Sequence, residues 1–266
     1  MTGLPPRELA TATKAHWHVA GVSVRGVSHV KRNQPCQDAH FWREFPGAAM
    51  VVAVADGAGS ASLSQLGAAR AAVSSVDWVA ELMNGQLPTR DEEWRQLLLA
   101  ALETAHESVT AVADKRKVTT RELATTLILA VVTLDTVACV QVGDGACVVL
   151  TEEGEVEAVT APQRGEHLNE TFFFTAPNYQ DAAQFSIWHG SVRGVAVFSD
   201  GLQMLALKMP EGRPHPAFFL PLFDMVAAQE NTREVEEELR VFLQSDRITA
   251  RADDDLTLVV ASIHHL

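Results

Sequence analysis

Residues 124–158, ATTLILAVVTLDTVACVQVGDGACVVLTEEGEVEA, decide the fold. Their apolar residues come in short, β-branched runs broken by Leu134-Asp135, Gly143-Asp144-Gly145 and Glu152-Glu153-Gly154. That pattern predicts four β segments with short turns, three of them arranged as a meander. Working outward, His18–Gly26 alternates as a strand should, His40–Phe45 follows, and Met50–Ala55 is an apolar run ending at Asp56-Gly57-Ala58-Gly59-Ser60. Downstream, QFSIWHG (184–190), VRGVAVFSD (192–200) and LTLVVASI (256–263) read as further strands.

Helical spacing appears between these strands. Leu66, Ala69, Val73, Val76, Ala80 and Met83 form one stripe, capped by Ser60 or Ser62 and stopped at Asn84-Gly85. Trp94, Leu98, Ala101, Ala105, Val109 and Val112 form a second, capped by Asp91. A short helix over Gly201–Leu207, a Pro-rich link and a helix over Thr232–Leu243 complete the expectation, with 27–38 a polar loop. Residues 1–14 read as a flexible arm, 15–266 as a single domain, and 161–180 as a long irregular flap. The fold class expected is α+β: two packed antiparallel sheets flanked by helices, a four-layer sandwich.

Composition narrows the function. With 266 residues, 47% of them hydrophobic and 21% charged, the chain supports a sizeable core. The net charge of −13 argues against nucleic acid or anionic membrane as a partner. Cys36, Cys139 and Cys147 form no CxxC pair and read as reduced thiols. The first residues lack the apolar core of a secretion signal, and no run reaches the ~18 residues of a membrane span. A cytoplasmic location is expected.

Chemistry concentrates in aspartates at strand ends. Asp56, Asp144 and Asp200 each close an apolar run and precede a glycine, Asp253-Asp254-Asp255 opens the last strand, and Asp38 precedes the second. One Asp-Gly is ordinarily a turn. Several at adjacent sheet ends gather carboxylates that a cation must neutralise. Oxygen donors suit Mg²⁺ or Mn²⁺ better than zinc.

Five segments together resemble a known family. QDA (37–39), DGAGS (56–60), GDG (143–145), SDGL (199–202) and DDLT (254–257) occur in the order found in metal-dependent Ser/Thr protein phosphatases of type 2C, over residues 20 to 262. SHVKRNQPCQDA and GEHLNETFFF are similar to the bacterial branch. The resemblance implies two Mg²⁺ or Mn²⁺ ions, with Asp56 bridging them, the Gly57 carbonyl a ligand of one, and Asp200 and Asp254 ligands of the second. Asp38 and Asp56 would position the water held on the metals, and Asp144 would serve a third, weaker site. The implied partner is a phosphorylated protein substrate, with a cognate Ser/Thr kinase.

Three positions depart from the family pattern. Ala58 stands where many relatives have a histidine. Asn33 stands where the phosphate-binding arginine is usual, so Arg32, Lys31 and His29 become candidates for the substrate phosphate. Met204 stands where relatives place a further acid. Arg164, Glu166, His167 and Asn169 are expected to face substrate from the flap, with Phe172–Phe174 anchoring it. His40, His106 and His189 are read as packing or surface residues. Two other functions fit the same motifs: a catalytically weak module that binds a phosphoprotein or kinase, and a small-molecule phosphatase.

Overall fold

The computed structural model describes residues 15–82, 87–163, 172–229 and 231–265. In chain order these form β1 (Ala15–Val24), α1 (Val27–Lys31), β2 (Ala39–Phe45), β3 (Ala49–Ala55), α2 (Ser64–Leu82) and α3 (Asp91–Arg116). There follow β4 (Leu127–Val132), β5 (Thr136–Val142), β6 (Ala146–Thr151), β7 (Val156–Ala158), α4 (Tyr179–Ala182), β8 (Gln184–His189) and β9 (Val192–Phe198). The last part comprises α5 (Gln203–Ala206), β10 (Leu207–Lys208), β11 (Arg213–Pro214), α6 (Pro216–Ala228), α7 (Thr232–Leu243), α8 (Asp246–Thr249) and β12 (Leu256–His265).

One sheet runs β1-β12-β9-β6-β7 and the other β2-β3-β4-β5-β8, each antiparallel throughout. Val52, Val54, Ile128 and Cys139 from one sheet meet Val19, Cys147, Val197 and Val259 from the other in a shared apolar layer. The opposite faces are also covered. Val51, Ala53, Leu129 and Val140 lie under α2 and α3, and Ala20, Val148, Ala196 and Val260 lie under α6 and α7. Burial on both faces explains why Met50–Ala55 is continuously apolar rather than alternating: all of β3 is buried. The four-layer α+β sandwich expected from the sequence is the one observed.

The predicted meander is not. β4 and β5 pair in one sheet, whereas β6 pairs with β7 and β9 in the other. The chain therefore changes sheets at Gly143-Asp144-Gly145. Gly143 has φ +122°, and a Cβ there would meet the Thr126 side chain at 2.5 Å. A Cβ on Gly145 would meet the Phe198 carbonyl oxygen at 2.4 Å. Only glycine allows this corner, and it holds Asp144 between the sheets.

Other differences are local. Residues 27–31 of the expected loop form α1, whose carbonyls at Gly26 and Ser28 accept from the amides of Val30 and Arg32. The supposed Pro-rich link contains α6, where Pro216 occupies the first turn and Pro221 stays exposed. Arg90, not Asp91, is the cap residue of α3. Asp91, Glu92 and Glu93 fill its first turn, where negative charge meets the positive end of the helix dipole. Gly201–Leu207 splits into a 3₁₀ turn and α5.

Register places the strand ends. Ala39 pairs with Ala55, Val54 with Ile128, Leu127 with Val142, Phe198 with Leu258 and with Ala146, and Val24 with Leu256. The C-terminal ends of β3, β5 and β9 thus lie together with the N-terminal ends of β2, β4, β6 and β12. Every aspartate singled out in the sequence adjoins one of those ends.

Candidate active site

At this end of the sandwich lies a cavity of about 150 Å³ lined by Asp56, Gly57, Asp144, Asp200 and Asp254, with Thr126 and Phe173. One carboxylate oxygen from each of Asp56, Asp144 and Asp200 lies within 4.8 Å of those of the other two. Asp254 stands at the more open side, its side chain 60% exposed. The Asp56 segment is pinned from beneath. Its amide donates to Thr126 Oγ1 (3.0 Å), while its carbonyl accepts from the Thr126 amide (2.8 Å) and Thr125 Oγ1 (2.9 Å). A Cβ on Gly57 would meet the Gln37 carbonyl oxygen at 2.6 Å and Ser64 at 2.9 Å, so this turn needs glycine as well.

Asp38 lies behind the cavity, buried. Ser199 Oγ donates to its Oδ2 at 2.8 Å and is in turn held by the Thr257 amide at 3.0 Å. Its other oxygen, Oδ1, has no hydrogen-bond partner among the described residues, and neither does Oδ1 of Asp200. Burial lifts the Asp38 carboxyl to about 7, against the pull of the Ser199 hydroxyl. Burial lifts Asp200 to about 6, helped by the charge of Asp144. Asp56 is raised well above the usual carboxylate range by burial and then by Asp38 and Asp200. At neutral pH a cluster of carboxylates with two buried oxygens lacking donors repels itself, and cations relieve that repulsion. The donors are all oxygen, which fits Mg²⁺ or Mn²⁺.

Asp255 belongs to this assembly, although of its run of three only Asp254 was expected to serve the site. It is buried, accepting from the Gly26 amide at Oδ1 (2.7 Å) and the Gln37 amide at Oδ2 (2.6 Å). Those bonds tie the segment leading to Asp38 to the segment carrying Asp254. The Ser28 amide adds a further bond to the Asp253 carbonyl (2.9 Å). The sequence signal was the run of three aspartates. It could not say which carboxylate turns inward.

The phosphate candidates are corrected by α1. His29 is buried, with Nδ1 2.9 Å from Asp255 Oδ1 and Nε2 3.9 Å from Asp254 Oδ1. It braces the acidic pair rather than reaching a substrate. Arg32 is exposed and folds back on its own helix, donating to the carbonyl and hydroxyl of Ser28 (3.2 and 3.0 Å). Lys31 is exposed, and neither it nor Arg32 lines the cavity. Asn33 takes φ +53° in the turn after α1. Among the described residues the lining holds no basic side chain.

Arg164, Glu166, His167 and Asn169 lie outside the described residues. Of the three phenylalanines, Phe174 is buried against His106 and Tyr179, Phe172 packs on the same helix-side core, and Phe173 walls the cavity beside Ala58. The Cys36 thiol is pushed far up by burial and then by Asp38 and Asp255, so it is no nucleophile. His40 is lowered to about 4 by burial and contacts Ser23. His106 stacks on Tyr179, and His189 lies 2.8 Å from Asp91.

A β-sandwich with an acidic, oxygen-only cleft where its sheets meet is a scaffold suited to a divalent metal centre. The chain belongs to the protein phosphatase 2C family, whose profile matches residues 25–244. It is 32% identical over 252 residues to Serine/threonine-protein phosphatase 3 of Escherichia coli (strain K12), covering 92% of this chain and 98% of that protein. Among solved structures it is similar to the serine/threonine phosphatase Stp1 from Staphylococcus aureus (TM-score 0.62, 12% identity, 98% and 99% of the two chains covered). It is also similar to the catalytic domain of the serine threonine protein phosphatase PstP in complex with two manganese ions (TM-score 0.61, 16% identity, 94% and 100% covered). These two likenesses concern the fold. The chain is a phosphatase of the 2C type, and its substrates are phosphoproteins.

Proposed function

We propose that this enzyme uses two Mg²⁺ or Mn²⁺ ions to hydrolyse phospho-Ser/Thr in proteins, with a third ion held weakly beside Asp144. Asp56, Asp200, Asp254 and the Gly57 carbonyl would hold the pair. The observation that carries this reading is the half-buried Asp56–Asp144–Asp200 trio, with orphaned buried oxygens at Asp38 and Asp200. Such ions supply charge neutralisation at the phosphoryl oxygens and activation of water for in-line attack.

The protein's own groups do the positioning. Asp38, fixed by Ser199, aims a carboxylate oxygen toward Asp56 from behind the cavity and can accept a proton from water there. The Thr125 and Thr126 bonds hold Asp56 rigid, and Phe173 shields one side of the cavity from solvent. Since no described basic side chain lines the cavity, the negative charge of a phosphate would be met by the ions. Ala58 supplies no proton, so the leaving alkoxide takes its proton from water. A cognate Ser/Thr kinase supplying the substrate, and a cytoplasmic setting, complete the proposal. Among the described residues no helix is long and apolar enough to cross a membrane.

The test is hydrolysis of a phosphothreonine peptide with and without Mn²⁺. Turnover that needs Mn²⁺ supports the reading. Cleavage of a small phosphate ester with the peptide left intact would favour a metabolite phosphatase, and binding without turnover would favour a regulatory module.

A further inference from the structure

A second concavity, of about 530 Å³, lies between α5, α6 and α8. Met204, Phe218, Met225 and Phe242 supply apolar walls, and Arg247 and Arg251 are its charged lining; no acid lines it. The two linings have no residue in common but are joined through the chain. Asp200 begins the turn that continues into α5, where Gln203 Nε2 donates to the Asp144 carbonyl on the cavity side while Met204 lines the groove. Arg251 likewise stands three residues before Asp254.

Met204 is 72% exposed, although an unbranched thioether gains from burial. Phe218, Met225 and Phe242 are only partly buried against the core beneath α6 and α7. Apolar surface left open in this way marks a binding face. Its charge is opposite to that of the molecule: the chain carries −13, yet both arginines lie exposed here and neither has an ion-pair partner among the described residues. An acidic ligand would find two guanidiniums, Arg247 on α8 and Arg251 just after it, in the same lining as the apolar side chains.

We propose that this groove docks a segment of the phosphoprotein substrate, next to the phosphorylated residue, that carries apolar side chains and carboxylates. The proposal rests on the phosphatase reading and deepens it. Ala217 to Met225 spans roughly 12 Å of helix, so about four extended residues would fill the groove. Met204, which departs from the family's acidic position, becomes the link between cleft and groove.

The experiment compares kcat/KM for a short phosphothreonine peptide and for the same peptide extended by five residues bearing Leu, Phe and Glu. The extension is expected to raise kcat/KM roughly tenfold, through KM. Arg247→Glu should bring that ratio close to one, and a Lys-bearing extension should restore it in the variant. Equal values for short and extended peptides in the wild type, or a ratio indifferent to Arg247→Glu, would overturn the proposal. A parallel anisotropy titration uses the extension alone, without phosphate. Binding that Arg247→Glu weakens supports the groove even if no peptide is hydrolysed, in which case only the phosphatase reading fails. No binding refutes the groove while leaving catalysis standing. A concentration-dependent dimer lost in Arg247→Glu, with no peptide effect, would give the groove to a second copy and overturn the proposal.

Discussion

Replacing Asp200 by Asn should stabilise the metal-free protein at neutral pH while weakening its response to metal. The folded cluster raises the Asp200 carboxyl from 3.8 to about 6, so the metal-free folded protein binds a proton that the unfolded chain has released. The associated stability is complete below about pH 4 and is lost as pH climbs to about 6. At ~1.4 kcal/mol per pH unit, the ionised Asp200 costs the metal-free fold roughly 3 kcal/mol above that point. An asparagine of the same shape removes the charge but pairs imperfectly with its neighbours, leaving a gain of about half. For a domain of this size that is roughly a 3 °C rise in Tm. The assay is thermal unfolding in chelator from pH 4.5 to 8, with and without Mn²⁺. The variant should fall slightly below the wild type at pH 4.5, exceed it above pH 6.5, and gain less from Mn²⁺. A metal-free variant less stable than wild type at pH 7.5, or a difference that does not change with pH, would refute the reasoning.

Further outcomes follow from particular contacts. Asp255→Ala leaves the buried amides of Gly26 and Gln37 without an acceptor, at roughly 1–3 kcal/mol each, and frees the segment leading to Asp38; denaturant unfolding should show the loss, and Mn²⁺ affinity should fall with it. Gly143→Ala forces a Cβ into Thr126 at a φ that L-residues avoid; it should cost about 2 kcal/mol or more in a urea melt, where a wild-type midpoint would count against the sheet-crossing corner. Cys36 should resist iodoacetamide in the native protein at pH 8, since burial and the charges of Asp38 and Asp255 suppress its thiolate; rapid alkylation by mass spectrometry would contradict the burial described.

The sequence made the acidic corner legible because each chemical aspartate stands where an apolar run stops. Asp56, Asp144 and Asp200 could be read as strand ends, and the register then brings them to one end of the sandwich. What stayed hidden depended on contacts distant in sequence. Three successive aspartates give no sign that Asp255 turns inward to Gly26 and Gln37, more than two hundred residues away. His29 looked like a loop cation free to meet phosphate because nothing nearby in the chain reveals its burial against Asp255. The change of sheet at Gly143-Asp144-Gly145 was masked because β5 and β6 share the same apolar character, and a short turn looks the same within a sheet or between two. Helix α6 was hidden by Pro216 and Pro221, each tolerated for a positional reason that composition does not show.

A calorimetric titration of the chelated protein with Mn²⁺ tests the central claim, that these carboxylates form a two-ion centre, most directly. The wild type should take up two ions per chain in the stronger phase, and Asp56→Asn should lose that phase while remaining folded. Saturable binding of the same stoichiometry and affinity in Asp56→Asn, or no saturable binding in the wild type, would contradict it.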